Sequence, residues 1–189
     1  MVERLKTNQE VINYPRQAWE AVSLFESLAG LVALREDQVL SLNRPVFMTL
    51  DSQEGSFDMV LLWQRKIEGD IDAKQLRISS PDQELISLVF QPGDRETEDR
   101  AFVFSQKETK LSKAGRSFYN FLVAPLIKRK RFAQLTQLIE TATNQVERIR
   151  LNGFNSQDEE IDLVVEQDQA GDLIDKAKQI VLYRGQQKK

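Results

Sequence analysis

The chain contains no cysteine and no histidine. The first absence excludes disulfide stapling, and the two together exclude thiolate and imidazole metal sites. Cys–His and Ser–His–Asp nucleophilic systems go with them, as does histidine acid–base catalysis. An enzyme built from the remaining residues works with carboxylates, Lys, Tyr, Ser or a hard metal ion on oxygen ligands. Redox chemistry requires a bound cofactor. Glycine is scarce and scattered singly, eight in 189 residues, so no phosphate-cradling loop or dinucleotide fingerprint is present. No apolar run approaches the roughly 18–20 residues that span a bilayer. The opening stretch, MVERLKTNQEVINYPRQAW, has no apolar segment behind a basic start. A cytoplasmic protein is therefore the expectation.

Positive charge is also in short supply. Against 29 acidic residues stand 26 basic ones, a net charge of −3, so no global field recruits a polyanion and any such contact needs a local patch. A hydrophobic share of 41% with 29% charged residues describes a globular chain long enough to bury a substantial core.

Hydrophobic periodicity organises that core. Residues 16–34, preceded by Pro15, carry apolar side chains at three- and four-residue steps (Trp19, Val22, Ala29, Val32), widened by Leu24, Leu28 and Leu31. The pattern predicts a first helix buried on more than one side. The period then shortens to two. Strands are predicted at 45–50, 57–67, 71–78, 84–90 and 100–105, separated by turn-forming stretches such as SQEGS and SSPDQ. Connections this short pair neighbouring strands antiparallel, as a five-stranded meander.

A second helical region starts near Ser112. Phe132, Leu135, Ile139, Ala142, Val146 and Ile149 alternate three- and four-residue steps, and Asn152–Gly153 reads as a helix stop. This predicts a long helix, kinked at Pro125, that packs across the sheet or forms a homo-oligomeric seam over residues 132–149. Ile161, Leu163 and Val165 alternate as an edge strand, and residues 170–183 are amphipathic, the pattern of a last helix. The expected fold is α+β: residues 1–153 form a helix–meander–helix domain and 154–189 an appendage with α and β elements.

Four consecutive basic residues, Lys128, Arg129, Lys130 and Arg131, follow the apolar run around Pro125. Successive helical residues lie about 100° apart, so these four wrap most of the circumference and form no single flat face. Lys107, Lys110, Lys113 and Arg116 precede them, interleaved with Phe118, Tyr119 and Phe121. Basic side chains follow phosphates and aromatic rings stack on bases, which suits single-stranded nucleic acid. Three alternatives stand: a basic elbow of Lys113, Arg116 and Lys128–Arg131 that contacts nucleic acid or an acidic protein surface; a solvated face paired with acids such as 158–162; and an interfacial anchor on an anionic membrane.

One constellation suggests catalysis. Asp58 lies on one expected strand and the triplet Asp72–Ala73–Lys74 on the next. Over about 60 residues this resembles the restriction-endonuclease-like nucleases, in which a strand Asp and an acidic-x-Lys triplet bind Mg²⁺. The resemblance implies Asp58 and Asp72 as metal ligands, Lys74 as catalytic, and Glu20 or Glu26 as the helix carboxylate. The metal would activate water to cut a phosphodiester. The triplet here is polar and follows a tight turn, unlike that family's apolar central strand. The leading expectation is a non-catalytic binding or adaptor protein. A Mg²⁺-dependent nuclease and a peripheral-membrane assembly factor are the alternatives.

Overall fold

The computed structural model describes residues 14–65, 72–82, 85–93, 98–105 and 124–187. Helix α1 spans Tyr14–Arg35. Five strands follow: β1 (Val46–Ser52), β2 (Gly55–Arg65), β3 (Asp72–Ser79), β4 (Leu85–Gln91) and β5 (Arg100–Ser105). Helix α2 (Ala124–Ala142), β6 (Val146–Phe154), β7 (Glu160–Glu166) and helix α3 (Gln167–Gln187) complete the described chain. The α+β class and the antiparallel sheet agree with the sequence reading. The strand count does not. The sheet has seven strands in the order β5-β4-β3-β2-β1-β6-β7, and every neighbouring pair is antiparallel.

The discrepancy lies in residues 146–154, expected as the end of a long helix and observed as β6. Val146 and Ile149 are both buried, three residues apart, which imitates helical spacing. The cause is a β-bulge. Ser52 pairs with Val146 while Asp51 pairs with Arg148, so Glu147 is an extra residue that restores both apolar side chains to the core face. The helix stops earlier for a local reason. The last i to i−4 backbone bond runs from Thr143 N–H to Ile139 O at 3.0 Å, where the Thr143 hydroxyl donates to the same carbonyl at 2.7 Å. Gln145 then takes a left-handed backbone, φ 50°. Gly153, read as a stop, sits buried in β6, where a Cβ would meet Leu40 Cδ1 at 3.2 Å.

All three helices cover one face of the sheet. Buried Val46, Met48 and Leu50 of β1 continue that face into Phe57, Met59 and Leu61 of β2, then Leu76 and Ile78 of β3 and Ile86, Leu88 and Phe90 of β4. Helix α1 crosses above β2–β5 and packs antiparallel to α3: Arg35 donates to Gln169 near the α3 start, while Arg16 and Trp19 approach Gly185 near its end. Alanines make the close approach possible, with Ala29, Ala33, Ala170 and Ala177 fully buried. Packed on the sheet and against α3, α1 is buried on more than one side, as its wide apolar stripe predicts. Strand β7 extends the same sheet, and α3 lies over β6 and β7.

Helix α2 rests on β5 and on the strand ends near β1, with Phe132 and Leu135 buried. The residues of the expected oligomeric seam thus face the chain's own core, Leu138 and Ile139 packing against it as well. Phe132 stacks on Tyr14 of α1, centroids 4.4 Å apart. Among the described residues no helix is long and apolar enough to cross a membrane.

Candidate polyanion-binding site

The basic run falls on the second turn of α2, with Pro125 in the first turn, where its missing N–H leaves no intrahelical bond unmade. A backbone kink is therefore not required there. The course of the chain upstream, including Lys113 and Arg116 with the aromatic residues 118–121, lies outside the described residues, and so does the Lys128 side chain. Of the apolar run FYNFLVAPLI on which the membrane-anchor expectation stands, residues 118–123 fall in the same stretch and 124–127 begin α2. Arg129 and Lys130 are exposed, and neither forms an ion pair with a described residue. Arg131 is half-buried and donates to Gln134 Oε1 at 2.8 Å.

The rotation of this turn is set by the residue that follows it. Phe132 points into the core and stacks on Tyr14, which turns Lys130, about 200° round the helix, outward, while Arg129, three residues before Phe132, is exposed at the edge beside Tyr14. Tyr14 records the proximity. Burial pushes its phenol above the usual 10.0, and the nearby Arg129 guanidinium offsets part of that rise. A raised folded-state pKa on an acid stabilises the fold below the unfolded value, and that stability is lost as pH climbs past it. Stability is therefore expected to fall above about pH 10 more steeply in the wild type than in Tyr14→Phe. Denaturant titrations of both proteins across pH 8–11, a window bracketing the roughly pH 10 phenol titration, check this. Parallel curves would show that Tyr14 does not titrate with unfolding.

The nuclease constellation is dispersed. Asp58 is exposed on the open face of β2, accepts a hydrogen bond from Thr49 at 2.7 Å, and lies opposite Ser79. Lys74 lies opposite Trp63, five positions further along β2 or about 17 Å, on the helix-covered face. Its ammonium sits 2.8 Å from Glu26 of α1, and both side chains are largely shielded from solvent. Only Lys74 and Glu26 are brought together, as an ion pair. Glu20 pairs with Arg16 on the surface, and the Asp72 side chain is outside the described residues. Among the described residues no group of three or more carboxylates is placed to hold a metal ion.

Two clefts went unrecognised in the sequence. The larger, about 1010 Å³, opens where β1, β6 and the start of α3 meet; Asp51, Glu147, Glu166, Asp168, Asp172 and Asp175 line it. Its one arginine, Arg148, is paired with Glu166 at 3.0 Å. That cleft repels polyanions. The second, about 530 Å³, lies between α2 and the turns that join β1 to β2 and β3 to β4. Phe57, Ile86 and Leu138 supply its apolar walls; Gln134, Gln137 and Thr141 run along its α2 side. The two turns touch: Gly55 has φ 118°, and a Cβ there would meet Pro81 Cγ at 2.6 Å. The only signal in the sequence was the glutamine spacing on α2, since the opposite wall comes from turns that read as mere connections. In comparison with known proteins the chain matches no family model, no curated protein and no solved structure.

Proposed function

We propose that this is a non-catalytic binding protein whose basic turn at the start of α2 contacts a polyanion, with nucleic acid the first candidate and an acidic protein surface the second. One observation carries the reading. Arg129 and Lys130 are exposed and without ion-pair partners among the described residues, on a helix whose rotation Phe132 fixes. A basic run that served only to balance the chain's own acids would be paired with them. Among the described residues the arginines paired with described acids are Arg16, Arg44, Arg148 and Arg150, while Arg129 and Lys130 are paired with none of them. The charge distribution supports a directed contact: the basic turn attracts phosphate while the acidic cleft beyond the other end of α2 turns it away.

Titration of a labelled single-stranded oligonucleotide at several salt concentrations tests the proposal. Binding to the wild type should weaken steeply with salt. Replacing Arg129 and Lys130 by Gln should lower the slope of log K against log salt by about 1.4, two phosphate contacts at about 0.7 each. Absence of salt-sensitive binding to any oligonucleotide, or identical slopes for the two proteins, would remove nucleic acid as the ligand.

A further inference from the structure

We infer that the cleft between α2 and the Pro81 turn receives a nucleobase, the basic turn holding that nucleotide's phosphate. The inference rests on the polyanion reading and adds to it a pocket and a base class. Lys130, Gln134, Gln137 and Thr141 are spaced four, three and four residues apart, so they form one stripe on α2. Gln134, Gln137 and Thr141 of that stripe line the cleft, and Lys130 stands one turn before it, in solvent. From Lys130 to Gln137 the helix rises about 10 Å, the distance a nucleotide spans from its phosphate to the far edge of its base.

Polarity changes along that distance. At the Lys130 end is a cation. The apolar lining, Leu138 of α2 with Phe57, Ile86 and Pro81, is suited to the faces of a flat ring. At the far end, Glu54 and Asp82 place two carboxylates on the lining, and neither forms an ion pair with a described residue. Carboxylates only accept hydrogen bonds, so they select a base edge that donates. The exocyclic amine of cytosine offers two N–H donors, whereas thymine offers a single ring N3–H flanked by two carbonyl oxygens that carboxylates repel. The glutamine amides both donate and accept, and they serve the remaining edge atoms. At about 530 Å³ the cleft lies within the range of small-ligand sites. Glu54 and Asp82 belong to turns at the end of the sheet where α2 finishes, so they stand away from the phosphate site and oppose a backbone bound in the reverse direction.

Three single strands of equal length separate the possibilities: oligo(dC), oligo(dT) and an abasic strand. Binding of oligo(dC) about tenfold tighter than oligo(dT), with the abasic strand weakest, is expected. The double change Glu54→Ala and Asp82→Ala should erase the preference for oligo(dC) and leave abasic-strand affinity unchanged or slightly improved. That unchanged affinity also shows that the variant is folded. Equal binding of oligo(dC) and oligo(dT), or a preference that survives the double change, overturns the base cleft. Binding of the abasic strand as tight as that of oligo(dC) overturns it while leaving the polyanion reading intact. No binding of any strand defeats both.

Discussion

Phe132→Ala is expected to destabilise the protein by about 3–5 kcal/mol, the range for deleting a fully buried aromatic side chain. Phe132 is 1% exposed and is among the largest wholly buried side chains described. Truncation removes its transfer energy and opens a cavity that neighbouring groups fill only in part. The stack on Tyr14, nearly parallel at 16°, contributes a further share of about 0.5–1.5 kcal/mol that area alone does not capture. Collapse around the hole is opposed because Tyr14 belongs to α1, which is itself fixed against the sheet and α3. For a chain of this size the melting temperature should drop by roughly 10 °C. Phe132→Leu, which retains most of the volume, should lose less than half as much. Urea unfolding of the three proteins measures this directly. A loss under about 1 kcal/mol in Phe132→Ala would mean that α2 is not anchored as described. The same substitution has a functional consequence. It leaves Arg129 and Lys130 in place chemically but frees the helix to rotate, so oligonucleotide affinity should fall at salt and temperature where the protein remains folded.

Asn155→Ala should cost about 2–4 kcal/mol although it removes only a small polar side chain. Asn155 is 2% exposed and closes the turn between β6 and β7. Its side-chain oxygen accepts from the backbone N–H of Gln157 at 3.0 Å and of Glu159 at 2.9 Å. Its amide nitrogen donates to Glu159 at 3.2 Å and to Gln38 at 3.0 Å, on the loop after α1. One side chain therefore ties a hairpin to a segment 117 residues earlier in the chain. Truncation leaves two backbone donors without their acceptor, each worth about 1–3 kcal/mol when it stays dry. It also releases Asp158 from the turn that holds its left-handed backbone, φ 63°. Asn155→Asp keeps the acceptor and loses the donor, placing a negative charge beside Glu159. It should rescue the turn only in part. Equal stability of all three proteins in urea unfolding would show that the network contributes nothing net.

The sequence reading and the structure diverge at particular residues, for particular reasons. Strands β1 to β5 were legible because each is a local pattern: alternating burial such as that of Leu85–Gln91, bounded by turn residues. The tail strand at Ile161, Leu163 and Val165 was legible on the same grounds, and so was α3. Strand β6 was not, because Glu147 bulges out and shifts its apolar period from two to three. The weak helix formers Thr141, Thr143 and Asn144, close together, were the available warning that the helix ends early. The basic turn was visible as a run of letters. Its orientation depends on Phe132 meeting Tyr14, a contact between residues 118 positions apart.

Of the candidate cleft only the glutamine spacing on α2 was legible in the sequence. Its walls come from positions 54, 57, 81, 82, 86 and 134–141, and no local pattern marks that set as neighbours. Asp58 and Lys74 teach the converse. Their spacing suggested a shared site, yet the pairing of β2 with β3 places them on opposite faces of one sheet.

By itself the sequence determined the composition of chemistry open to this protein, the antiparallel strands and the faces that must be buried, because alternation and turn propensity act between near neighbours. Tertiary structure alone decided the seven-strand order, the end of α2, and which charges stand in solvent beside which cleft. Those follow from pairings across the whole chain, where one bulge or one stacked ring redirects every side chain attached to it.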